Sequence, residues 1–67
     1  MKLTLLDSSC DNGPCPTVYS TDTGELVVQG FKVEDPEALA AMRLPETETA
    51  VRIPIELLVR VARDHLS

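Results

Sequence analysis

The most reactive side chains of this chain are its two cysteines, Cys10 and Cys15. Four residues, Asp-Asn-Gly-Pro, separate them, and the surrounding prolines and glycine predict an exposed loop over residues 8–16. The pair is compatible with three kinds of chemistry. It could share a zinc ion, act as a redox pair, or consist of two loop thiols that form a disulfide when they are oxidised.

Neither zinc binding nor thioredoxin-like chemistry fits the spacing well. A structural zinc ion takes four ligands, and the chain offers only Cys10, Cys15 and its single histidine, His65, so a second chain would have to complete the site. The Gly-Pro-Cys sequence ending at Cys15 is similar to part of the thioredoxin motif, but the partner cysteine is too distant and no βαβ pattern follows. We therefore predict a disulfide candidate and no bound metal or cofactor. A metal- or redox-responsive protein that uses the two cysteines is the alternative.

No other group of residues predicts catalysis. His65 has no nucleophile and acid beside it, and a histidine that interacts with a helix end is the simpler interpretation. The acidic pairs Glu34/Asp35 and Glu46/Glu48 fall at a predicted helix start and in a predicted turn, whereas catalytic carboxylates need surroundings that separate their pKa values. The glycines are dispersed, so the sequence has no phosphate-binding loop. We predict a protein that is not an enzyme.

The first half of the chain has the pattern of short strands. Alternating residues predict a strand over 2–6, and residues rich in β-branched side chains predict two more over 17–21 and 25–29. Gly24 ends the connecting turn, in a position that favours a left-handed backbone. Gly30 predicts a bulge or a close approach of two backbones before the strand continues.

The second half predicts two helices with a strand between them. Asp35 and the following proline are typical of a helix start, and this short helix is predicted to run to residue 43. A strand is predicted over 50–53, and a longer helix from Pro54 to about residue 66. The whole chain is then one α+β domain: a small antiparallel sheet, consisting of a hairpin plus one or two further strands, packed against two short helices in the order β-β-β-α-β-α.

The last predicted helix is more apolar than one small sheet requires. Glu56 and Arg60 are spaced to form an ion pair along it. Its apolar residues occupy much of the remaining surface: Ile55, Leu57, Leu58, Val59, Val61, Ala62 and Leu66. Because a core of this size supplies only ~3–5 kcal/mol, we expect a homodimer whose two-fold interface uses the last helix or an edge strand.

The net charge is −5, with 11 acidic against 6 basic side chains. Such a surface repels phosphate backbones, so we expect no direct binding of nucleic acid. The acidic surface either keeps the chain soluble or meets a basic partner, for example a DNA-binding protein. The candidate partner-binding residues are Glu34, Glu37, Glu46, Glu48 and, on the last helix, Val59. No apolar run is long enough for a membrane span and the N-terminus does not have the pattern of a signal peptide, so we expect a cytoplasmic protein.

Four stretches carry a resemblance to a known group of proteins: residues 15–19 (CPTVY), 23–30 (TGELVVQG), 35–39 (DPEAL) and 51–54 (VRIP). Together they resemble short, mostly uncharacterised actinobacterial proteins whose genes lie beside helix-turn-helix transcription regulators of the WhiJ type, related in kind to the small BldB-like developmental proteins. The resemblance implies an accessory, antitoxin-like or modulatory partner of such a regulator. It implies no catalytic residues.

Overall fold

The computed structural model describes residues 1–11 and 13–66 and has the predicted α+β architecture. A three-stranded antiparallel sheet in the order β1-β2-β3 is followed by a two-stranded sheet of β4 and β5. The elements are β1 (Leu3–Ser8), β2 (Thr17–Thr21), β3 (Leu26–Gln29), β4 (Phe31–Lys32), α1 (Pro36–Ala41), β5 (Val51–Arg52) and α2 (Ile55–Val61), which continues as a π-helical turn (Ala62–Leu66). The order β-β-β-β-α-β-α contains one strand more than predicted, because Gly30 separates β3 from β4.

The turn between β2 and β3 forms as its sequence predicts. Gly24 has a φ of 85°, the left-handed conformation that glycine adopts without a steric cost. The hydroxyl of Thr21 accepts hydrogen bonds from the backbone N–H groups of Thr23 and Glu25, at 3.2 and 3.0 Å. These bonds set the register in which Val18 of β2 lies beside β3.

A bulge in β1 determines which of its residues face α2. Leu5 pairs with Tyr19 and Asp7 pairs with Val18, so Leu6 is an additional residue on β1 without its own partner on β2. A bulge of this kind redirects the side chains that follow it. The bulge brings Leu6 into contact with the core and places Asp7 on the same face of the sheet as the buried Val18.

β1 is longer than predicted. It continues to Ser8, which pairs with Thr17, so the connecting loop begins one residue later than the predicted 8–16. Polar side chains at this end of the sheet donate hydrogen bonds to backbone carbonyl groups. The hydroxyl of the buried Thr17 donates to the carbonyl of Cys15 at 2.7 Å, and the Ser8 hydroxyl donates to the carbonyl of Pro16 at 3.3 Å. The pairing of Ser8 with Thr17 therefore extends the strand by one residue into the stretch where the turn-forming composition predicts loop.

Gly30 allows β4 and β5 to approach closely, which confirms the predicted role of this glycine. A Cβ atom at position 30 would lie 2.5 Å from the carbonyl oxygen of Arg52 and 2.8 Å from the Cγ2 atom of Ile53. Because real Cβ atoms need more space than this, only glycine fits. The guanidinium of Arg52 also lies over the ring of Phe31, 5.6 Å from its centroid, across the pair of strands.

α1 is a short, exposed helix. The carboxylate of Asp35 accepts a hydrogen bond from the N–H of Ala38 at 2.8 Å, which is the predicted N-terminal cap. The helix ends at Ala41 instead of residue 43, because Met42 has an extended backbone. None of its residues is buried.

The core lies between α2 and the first two strands. Val18 of β2 and two residues one turn apart on α2, Leu57 and Val61, are fully buried. Leu6 and Ile53 pack against them and are partly buried. The core of the described chain is therefore very small, and α2 is the helix that forms it.

Candidate functional site

Arg60 joins α2 to the bulged strand. Its Nε donates to the Asp7 carboxylate at 2.9 Å, and its Nη2 donates to the carbonyl of Ser8 at 3.1 Å. The predicted partner of Arg60 was Glu56, one turn away on the same helix, and that prediction is wrong. Helical spacing suggests the local pair, but the fold brings a carboxylate and a backbone carbonyl together on the strand beneath, where the side chains are partly buried.

His65 makes a second contact with the same strand. Its Nε2 donates to the carbonyl of Leu6 at 3.1 Å. Arg60 and His65 are five residues apart, which is the hydrogen-bonding period of a π-helix. The wider turn over Ala62–Leu66 carries His65 to the side of the helix that faces β1. Arg60 then contacts Asp7 and Ser8, and His65 contacts the preceding Leu6. The hydrogen bonds of Arg60 and His65 thus attach the helix to β1. The helical periodicity of the sequence did not predict these contacts.

The pKa of the Asp7 carboxyl lies below its ordinary value. The main cause is the hydrogen bond from Arg60, and a second bond from the N–H of Ser8 at 2.8 Å adds to it. Both bonds favour the charged carboxylate. A group whose pKa is lowered by folding stabilises the folded state above its ordinary pKa, and this contribution is lost as the pH falls through the lowered value.

We expect Asp7→Asn to lower the stability of the folded protein at neutral pH and to have little effect on it in acid. Unfolding midpoints measured from pH 7 downwards should differ most above an ordinary carboxyl pKa of 3.8 and converge below it, as wild-type Asp7 takes up its proton. Asp64→Asn is the matched control. The pKa of Asp64 is also lowered, by its neighbour Arg63, but this exposed pair is adjacent in the chain and can also form after unfolding. A difference for Asp7→Asn that persists unchanged into strong acid would contradict this role for the charge.

Cys10 and Cys15 form a disulfide, which is the candidate pairing from the sequence. Their Cα atoms are 6.0 Å apart, within the range that a disulfide requires. The bridge closes the loop between β1 and β2. The N–H of Ser9 donates to the carbonyl of Pro16 at 2.9 Å, so the loop is also closed by a backbone hydrogen bond just outside the bridge.

The structure does not bring the three possible zinc ligands together. Within residues 1–11 and 13–66, no group of three or more His, Cys, Asp or Glu side chains is placed to hold a metal ion. His65 contacts the carbonyl of Leu6, whereas Cys10 and Cys15 are joined to each other. No pocket opens among the described residues either.

The candidate acidic residues all lie in the segment from β4 to β5, on the exposed surface. Glu34 precedes α1, Glu37 is in its first turn, and Glu46 and Glu48 follow in the connection to β5. Within the described part of the chain, none of the four takes part in an ion pair. We call this set the acidic segment.

Exposed apolar side chains lie on two surfaces, one on the sheet and one on the last helix. On the sheet face away from α2, Leu5 lies beside Tyr19 and Val27 in the strand register and is exposed. On α2 and the π-helical turn, Ile55, Val59 and Leu66 are 82%, 55% and 57% exposed. They are spaced by four and seven residues, so they lie on one side of the helix, opposite the buried Leu57 and Val61. We call these three residues the outer stripe.

Among the described residues, no helix has the length and apolar character that a membrane span requires. Comparisons with protein-family models, with curated proteins and with solved structures found no match. The resemblance to the neighbours of WhiJ-type regulators stays a prediction.

Proposed function

We propose that this chain is a non-enzymatic protein-interaction module, an accessory or antitoxin-like partner that modulates a helix-turn-helix transcription regulator. One observation carries the proposal. In the described residues only three hydrophobic side chains form the buried core, whereas thirteen large hydrophobic side chains are exposed. Exposed apolar surface on a small chain is typical of a protein that binds another protein.

The charge distribution supports a basic partner. The four glutamates of the acidic segment are exposed and the chain carries a net charge of −5. A DNA-binding regulator presents basic surface, and complementary charges accelerate the encounter of two proteins. We place the complex in the cytoplasm, where such a regulator meets DNA.

The test measures binding to a helix-turn-helix regulator of the kind that the resemblance implies as the partner. Glu34, Glu37, Glu46 and Glu48 are replaced together by Gln, which removes four charges and keeps the polarity. We expect association at low salt to slow by about tenfold and its salt dependence to flatten, because long-range attraction is lost. Circular dichroism should remain native, and the isolated wild-type chain should not bind duplex DNA.

A matched control distinguishes the effect of where the charges lie from the effect of how many charges are removed. Asp11→Asn with Glu25→Gln removes two charges outside the acidic segment, and Glu46→Gln with Glu48→Gln removes two inside it. Only the second pair should slow association strongly. Equal association rates for all variants at every ionic strength would refute the electrostatic mechanism, and tight binding of duplex DNA by the isolated chain would refute the proposed function.

The disulfide favours a redox-responsive protein as the second candidate. Cys10 is exposed and Cys15 is partly exposed, so reductants and oxidants can reach the bridge. In a reducing cytoplasm the pair would be two thiols, and oxidation would close the ring between β1 and β2. This candidate requires the two redox states to differ in stability, which unfolding of the oxidised and the reduced protein measures directly.

A further inference from the structure

We propose that the outer stripe binds the outer stripe of a second copy of this chain, so that two α2 helices pack antiparallel about a two-fold axis near Val59. The proposal goes beyond the binding of a regulator. It uses a different surface from the acidic segment, and it is tested on the purified chain alone.

The first argument is the area that the single chain leaves exposed. Its solvent-accessible surface is 5400 Å². A compact monomer of 7.3 kDa exposes about 4,200 Å², so this chain exposes about 1,200 Å² more than its mass predicts. Each partner in a stable protein–protein interface contributes about 600–1,000 Å². The radius of gyration of 13.1 Å likewise exceeds the ~11 Å of a compact domain of this length.

The second argument is the distribution of apolar residues around α2. A surface helix is normally apolar on one side and polar on the other. α2 buries Leu57 and Val61 within its own chain, yet Ile55, Val59 and Leu66 occupy the opposite side. A helix that is apolar on both sides is typical of one buried between two layers, and residues 1–11 and 13–66 supply only one of them.

The third argument is charge complementarity, which indicates that the outer stripe binds a second copy of this chain. Glu56 and Arg63 are seven residues apart on one flank of the outer stripe, and both are exposed. A two-fold axis that makes the helices antiparallel places this flank on the same side of the interface in both copies. The order of the residues along the flank is reversed in the second copy. Glu56 of each copy then lies beside Arg63 of the other, and the two opposite-charge pairs form together. A parallel pair would place these flanks on opposite sides of the interface.

Arg63 already donates to the neighbouring carboxylate of Asp64 at 2.8 and 3.2 Å. A guanidinium has five N–H donors and can contact more than one carboxylate. On this flank, Arg63 and Asp64 of one copy and Glu56 of the other would form one network of three charged groups.

The test measures the mass of the purified chain by analytical ultracentrifugation up to about 200 µM, a range that detects dissociation constants of micromolar order. Wild type should dimerise. Val59→Asp should weaken the dimer by at least about tenfold, because two carboxylates would meet near the axis. Leu5→Asp, on the sheet face away from α2, is the matched control and should dimerise normally.

Charge reversal tests the antiparallel arrangement. Glu56→Arg alone and Arg63→Glu alone should each weaken dimerisation by about tenfold, because each creates two like-charge contacts. An equimolar mixture of these two variants should form a mixed dimer as readily as wild type, since every Arg then faces a Glu. Circular dichroism checks that both variants are folded.

A monomeric wild type at every concentration would overturn the proposal, even if the outer stripe captured another protein. Loss of the dimer in Leu5→Asp would assign the interface to the sheet instead. A wild-type dimer without rescue in the mixture would overturn the antiparallel arrangement. None of these results depends on whether a regulator binds the acidic segment.

Discussion

Leu57→Ala is expected to leave a substantial fraction of the chain unfolded at 25 °C. Leu57 is fully buried, and it is one of only three hydrophobic residues that form the core of the described chain. Replacing a buried leucine by alanine costs about 2–5 kcal/mol, because the lost contacts leave a cavity. A domain of this size has a total stability of about 3–5 kcal/mol, so the substitution removes most of it.

Leu58→Ala provides the matched control for this prediction. It changes the same residue type at the next position of the same helix, but Leu58 is 50% exposed. We expect it to lower the free energy of unfolding by no more than about 1 kcal/mol. Circular dichroism and urea unfolding compare the two variants at a concentration where both are monomeric. Equal losses would show that α2 does not pack on the sheet through Leu57.

Loss of the disulfide is expected to have the second largest effect, and only under oxidising conditions. Cys10→Ser combined with Cys15→Ser should lower the free energy of unfolding by about 2 kcal/mol relative to the oxidised wild type. The bridge restricts the unfolded chain by closing a short ring, so its removal increases the conformational entropy of the unfolded state. The folded state should change little, because backbone hydrogen bonds also close this loop.

Wild type in reducing buffer is the control. It should have the same unfolding midpoint as the double variant, since neither contains the bridge. A double variant that loses its folded signal while the reduced wild type stays folded would show that the thiols bind something, and would favour a metal-responsive protein. An oxidised wild type no more stable than the reduced one would refute the redox-responsive candidate.

The parts of the fold that depend on local chemistry were predictable from the sequence. Gly24 was identified because a tight turn needs a left-handed residue, and Asp35 because a helix start needs a side chain that accepts from its free N–H groups. Gly30 marked the close approach of β4 and β5, since only a residue without a Cβ atom fits there. Each requirement involves few residues, so each leaves a direct trace in the sequence.

Properties that depend on which face of one element packs against another element were decided only by the tertiary structure. Spacing could show that the last helix is apolar over much of its surface, but not that Leu57 and Val61 are its buried side, because several faces satisfy the same pattern. The bulge at Leu6 depends on how β1 pairs with β2, and the contact of Arg60 with Asp7 joins residues 53 positions apart. Helical periodicity carries no information about such contacts. Composition thus determined an acidic chain, the sequence pattern predicted the α+β class with excess apolar surface, and packing decided which part of that surface remains exposed.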